Sequence, residues 1–120
     1  MSVDFKITSE QIQQQGKDPV TVFHLRGWLD AQSEEMLLTA AREARTAGTN
    51  HLVLYLEELT MLTSVGIRAI QKAQKVFENA TDLKLCNAPP NVYHVLKLTG
   101  FLQTLPVYES LQAALDSYKE

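Results

Sequence analysis

Apolar and polar residues alternate through Phe5-Lys6-Ile7-Thr8, the period of a half-buried strand. The polar stretch from Gln13 to Pro19 reads as a turn. Val20-Thr21-Val22-Phe23-His24-Leu25 is a stronger strand, rich in β-branched residues, and Gly27 punctuates its end. These two strands are expected to pair antiparallel. From Asp30 the period changes. Met36, Leu37, Ala40, Ala41, Ala44 and Ala47 recur at three- and four-residue steps, which predicts an amphipathic helix. Asp30 or Ser33 can cap its start and Gly48 can end it. Leu52-Val53-Leu54-Tyr55-Leu56 is a continuous apolar run, typical of a strand buried on both faces. After Thr63-Ser64 a second helix carries Ile67, Ile70, Ala73, Val76 and Phe77, and Leu83 to Cys86 forms another strand. Pro89-Pro90 opens a short helix that Gly100 closes. A short strand near Leu105 to Tyr108 follows, then a last helix from Ser110 to Tyr118 marked by Leu111, Ala114, Leu115 and Tyr118.

The order ββαβαβα(β)α predicts an α/β fold. Its sheet is mostly parallel, with four to five strands, an N-terminal antiparallel strand and about four helices. The chain of 120 residues shows no repeat, linker or low-complexity tract, so residues 1–120 are expected to form a single domain. Hydrophobic residues at 45% and charged residues at 21% are ordinary for a globular protein. A net charge of -3 without a basic run offers no footprint for nucleic acid or an anionic membrane surface. The start of the chain lacks the apolar core of a signal peptide, and Leu52 to Leu56 is far too short to span a bilayer. A cytoplasmic location is therefore expected, with no membrane insertion.

Candidate chemistry is sparse. His24, His51 and His94 are scattered, and none has a second ligand at metal-binding spacing. Cys86 sits in an apolar run and reads as a buried small hydrophobe. The one Gly-Lys pair, Gly16-Lys17, has Gln11 where a phosphate loop needs glycine and Asp18 after the lysine. Ser64 has Gly66 behind it, but Leu62 occupies the first glycine position of a nucleophile elbow. No catalytic residue, cofactor or metal is expected, so an enzyme (a small hydrolase or nucleotide-binding protein) is the least supported class. What remains is Ser64, between a strand end and a helix, at the edge where parallel α/β sheets place their functional loops. A serine there is also an ordinary helix N-cap.

Three segments resemble the STAS family, the fold of bacterial anti-sigma-factor antagonists. Leu25-Arg26-Gly27-Trp28-Leu29-Asp30 is similar to the family's R-G-x-L-D end of the second strand. The run from Leu52 to Ile67 matches its strand, loop and D-S-x-G-[LI] phosphorylation turn without gaps. Leu96-Lys97-Leu98-Thr99-Gly100-Phe101 is similar to L-x-x-x-G-[LF] before the last strand and helix. The resemblance implies that Ser64 is phosphorylated by a partner, an anti-sigma factor that is itself a serine kinase. Phosphorylation would break their complex and a phosphatase would restore it. Thr63 stands where the family usually has an acidic residue, and Tyr55 where it often has Asp or Asn. Thr63 is itself a candidate for modification.

The partner surface implied by the resemblance comprises Gly27, Trp28, Asp30, Thr63, Ser64, Val65, Gly66 and Arg68. Trp28 reads either as an anchor packed under the first helix or as an interface hot spot on the loop beside Ser64. Asp30 can cap the helix, contact the partner, or both. The alternative function is a STAS adaptor without the switch, in a signalling assembly or an ATP-binding-cassette lipid-transport complex.

Overall fold

The computed structural model describes residues 4–118. Five strands form one sheet in the order β1-β2-β3-β4-β5. They are β1 (Lys6–Ile12), β2 (Val20–Leu29), β3 (His51–Leu62), β4 (Leu83–Cys86) and β5 (Val107–Tyr108). The first pair is antiparallel and the rest are parallel, as the element order requires. Four helices, α1 (Glu34–Thr46), α2 (Ser64–Gln74), α3 (Pro90–Leu98) and α4 (Leu111–Asp116), complete the expected mixed architecture.

Two cores sandwich the sheet. Along β3, Leu52, Leu54 and Leu56 point into the larger core with Ile67, Ile70, Leu37, Val92 and Leu96 of α1 to α3. Val53 and Tyr55 point the other way, toward Ala114, Leu115 and Tyr118 at the C-terminal helix. This two-sided burial is why the strand reads as a continuous apolar run.

Three strands run further than their sequence patterns suggest. β1 continues through Ser9, Glu10 and Gln11 to Ile12, because an edge strand exposed to water needs no apolar alternation. β3 continues from Leu56 to Leu62. β2 does not stop at Gly27. That glycine takes φ +91°, a register shift against β3 falls between Gly27 and Trp28, and pairing resumes through Trp28↔Met61 and Leu29↔Leu62. A positive-φ glycine lets β2 re-aim opposite the extra residue of β3, Thr60, instead of ending. Trp28 is therefore a strand residue, not a loop residue. On α1, Met36 and Ala47 fall outside the buried stripe formed by Leu37, Leu38 and Ala41. α4 ends at Asp116, and Tyr118 tucks back beyond it into the smaller core.

Candidate functional site

The ends of β2 and β3 bring the singled-out residues to one edge of the sheet. Backbone packing between these strand ends sets the geometry. The Thr63 N–H donates to the Leu29 carbonyl at 3.2 Å. A Cβ on Gly66 would stand 2.2 Å from that same oxygen and 2.9 Å from the Leu62 side chain. No side chain fits there, so Gly66 is what lets the first turn of α2 close onto the end of β2.

The two neighbouring hydroxyls have different fates. Thr63, rather than Ser64, is the N-cap of α2: its Oγ1 accepts from the Gly66 N–H at 3.1 Å and faces the Leu29 carbonyl at 3.4 Å. Ser64 is the first residue of the helix and is exposed. Among the described residues nothing hydrogen-bonds its hydroxyl. The first turn of α2 carries no acidic residue, so the partial positive charge of the helix start is left uncompensated. Exposed Arg68 follows Ser64 by four positions, one turn along the same face.

Opposite this turn, Asp30 and Ser33 hold the entry to α1. Asp30 Oδ1 accepts from the Gln32 N–H at 3.0 Å and the Ser33 N–H at 3.3 Å. Ser33 Oγ donates to the Trp28 carbonyl at 2.9 Å and accepts from the Asp30 N–H at 2.9 Å. Asp30 thus fixes the turn before the helix, and Ser33 occupies the cap position without a side-chain bond into α1. Trp28, Asp30, Ala31, Gln32, Thr63 and Val65 line a cleft of about 480 Å³. Trp28 is half-buried and also lines a second cleft, with Phe5, Ser33 and Met36.

The structure therefore gathers Trp28, Asp30, Thr63 and Val65 around one cleft, with Ser64 and Arg68 exposed on the adjoining helix. Gly27 and Gly66 are buried and shape the backbone beneath. Met61 escaped the sequence pattern. It is 38% exposed and pairs with Trp28 across the sheet, at an outward position that exists because β3 extends to Leu62. Thr60 belongs to the same edge: its hydroxyl donates to the Gly27 carbonyl at 3.1 Å, and Asn91 at the start of α3 donates to its carbonyl at 2.9 Å.

Away from this edge, Cys86 is fully buried, and burial followed by the charge of Glu57 pushes its thiol up to about 12. Burial also raises Tyr55, with Glu57 adding to the effect. Among the described residues no cluster of His, Cys, Asp and Glu is placed to hold a metal ion. No described helix is long and apolar enough to cross a membrane.

Comparison with known proteins gives a consistent picture. The STAS domain model matches residues 11–114. BtrV of Bordetella bronchiseptica, a protein named for anti-sigma factor antagonism, is 28% identical, with 95% of each chain covered. An anti-sigma F factor antagonist of Paenibacillus polymyxa is 26% identical, covering 88% of this chain and 92% of its own. Among solved structures, an anti-sigma factor antagonist from Mycobacterium paratuberculosis superposes with a TM-score of 0.78 at 24% identity, over 96% of both chains. The antagonist SpoIIAA in its unphosphorylated form gives 0.73 at 18% identity, over 92% of this chain and 94% of its own. SpoIIAA of Bacillus in its phosphorylated form gives 0.65 at 18% identity, over 92% and 97%.

Proposed function

This chain belongs to the STAS domain family, and we propose that it is an anti-sigma factor antagonist, released from a kinase-type anti-sigma factor by phosphorylation of Ser64. The observation that carries this reading is the division of labour between two adjacent hydroxyls. Thr63 is committed to capping α2, and modifying it would remove the cap; Ser64 is exposed and uncommitted. Two relatives carry the antagonist's name, and SpoIIAA has been solved with and without phosphate.

Before modification, the partner rests on Trp28, Val65 and Met61, with Asp30 and Arg68 supplying charge. Trp is among the residue types in which binding energy is most often concentrated. A phosphate on Ser64 adds about -1.5 to -2 charges. The free protein accommodates it, because the helix start presents N–H donors and no competing carboxylate. Inside the complex the same group meets desolvation and like charge. One unit pair at about 4 Å costs about 4 kcal/mol at an effective dielectric near 20, roughly a thousandfold in affinity. A phosphatase then resets the protein.

Incubation with the cognate kinase and ATP, followed by mass-spectrometric mapping, tests the reading. Phosphate is expected on Ser64 with Thr63 unmodified. Absence of phosphate from both residues contradicts the switch. Thr63 in place of the family's usual acidic residue favours a second reading, a STAS adaptor without phosphorylation. Native pull-down of a transport-type ATPase instead of a kinase would select it.

A further inference from the structure

The edge strand β1 has one open side. It meets β2 without a register shift, contains no proline, and leaves its other edge without a strand partner among the described residues. An open edge is normally blunted by proline, a bulge or charged side chains, because it is a template for further pairing. Here the two charged residues of β1, Lys6 and Glu10, carry opposite signs. They lie four apart on one face, at equal distances from Thr8. Lys6 also stands directly opposite Arg26 of β2, a like-charge pair that is unfavourable by itself. Glu10 Oε1 lies 2.6 Å from His24 Nε2, which leaves its second oxygen free for another donor.

We propose that this protein forms a homodimer by antiparallel pairing of β1 with β1 of a second copy, centred on Thr8. That register sets Lys6 against Glu10 of the second copy twice over, and Ile7 against its Ser9. Each Lys6–Arg26 pair gains a carboxylate neighbour. A shift of the centre to Ser9 would instead put Lys6 opposite Ile12 and Glu10 opposite Thr8, losing both ion pairs.

The face of β1 turned toward α1 supports the same occupant. Ile7, Ser9 and Gln11 of β1, with Phe23 behind them, floor a groove of about 710 Å³ whose wall is Met36, Ala40 and Ala44 of α1. Met36 is 50% exposed there. In-plane antiparallel pairing keeps both α1 helices on the same face of one ten-stranded sheet. The two β2 strands then lie three strand spacings apart, about 14 Å. The open side of each groove is closed by the other copy's β1 and α1. Lys6 and Met36 also line the cleft that holds Trp28 and Asp30, so this contact adjoins the proposed partner surface, but it leaves Ser64 uncovered and its test does not depend on the antagonist reading.

Sedimentation of the full chain from micromolar to millimolar concentration tests the proposal. The expected species is a dimer. Lys6→Glu alone and Glu10→Lys alone should each sediment as monomers, since each sets like charges against one another. An equimolar mixture of the two variants should restore a one-to-one heterodimer, which also shows that both are folded. A wild type that stays monomeric throughout, variants that remain dimeric, or a mixture that fails to associate would overturn it.

Discussion

The two ends of the parallel strands use the same kinds of residue in opposite ways. At the amino end, polar groups are packed against one another. Tyr118 OH donates toward the Asp82 carbonyl at 2.7 Å and lies 3.1 Å from the Leu52 carbonyl. His51 stacks on the Tyr118 ring at 4.3 Å, between Asp82 and Asp18 at 3.6 and 3.9 Å. Lys84 is buried, donates to Ser117 Oγ, and stands 4.0 Å over the same ring. At the carboxyl end, Ser64, Arg68 and Met61 face water, and the hydrogen bonds that exist secure the backbone beneath them. One pole contributes stability and the other keeps its chemistry available. Substitutions should therefore separate folding from binding according to the pole they strike.

Gly66→Ala is the harshest test, because it drives a Cβ into backbone at 2.2 Å. It should destabilise by about 3 kcal/mol, at the upper end of ordinary overpacking, and lower the urea midpoint. It is the one carboxyl-pole change expected to damage folding and binding together.

Tyr118→Phe strikes the amino pole. Losing the hydroxyl leaves the Asp82 carbonyl short of its donor and should cost about 2 kcal/mol, with partner affinity unchanged. The smaller core that holds Tyr118 and Cys86 sets the alkaline behaviour. Burial raises Tyr118, with Asp82 adding to it, and pushes Cys86 from 9.0 to about 12. Both groups are held protonated in the folded chain and titrate earlier when unfolded. Their contribution is complete below about pH 8.5 and is lost as pH rises through the folded values. Urea titrations at rising pH should show that fall, and it should be shallower in Tyr118→Phe.

Thr63→Val and Ser64→Ala sharpen the contrast at adjacent positions. Removing the Thr63 cap should cost about 1 kcal/mol. Ser64→Ala should stay within about 0.5 kcal/mol, as for an exposed residue without a structural partner. Equal losses at the two sites would erase the distinction between cap and free hydroxyl.

Much of this arrangement is written in local patterns. The β-branched run at Val20, the apolar run at Leu52 and the three-four spacing of Ile67, Ile70 and Ala73 identify their elements because burial selects them. The extensions of β1 and β3 are hidden, since exposed edge and strand-end positions impose no apolar pattern. The passage of β2 through Gly27 is hidden for another reason: glycine marks a strand end and an irregularity within a strand equally well. Whether Thr63 or Ser64 caps α2 is decided by where β3 stops, which the residues alone leave within one position. That single position decides which hydroxyl is free.

The most direct measurement is the affinity of the cognate anti-sigma factor for the unmodified chain and for the chain phosphorylated at Ser64, by calorimetry on folded protein. Binding is expected to be roughly a thousandfold weaker after phosphorylation, with the urea midpoint unchanged. Equal affinity of the two forms would contradict the switch.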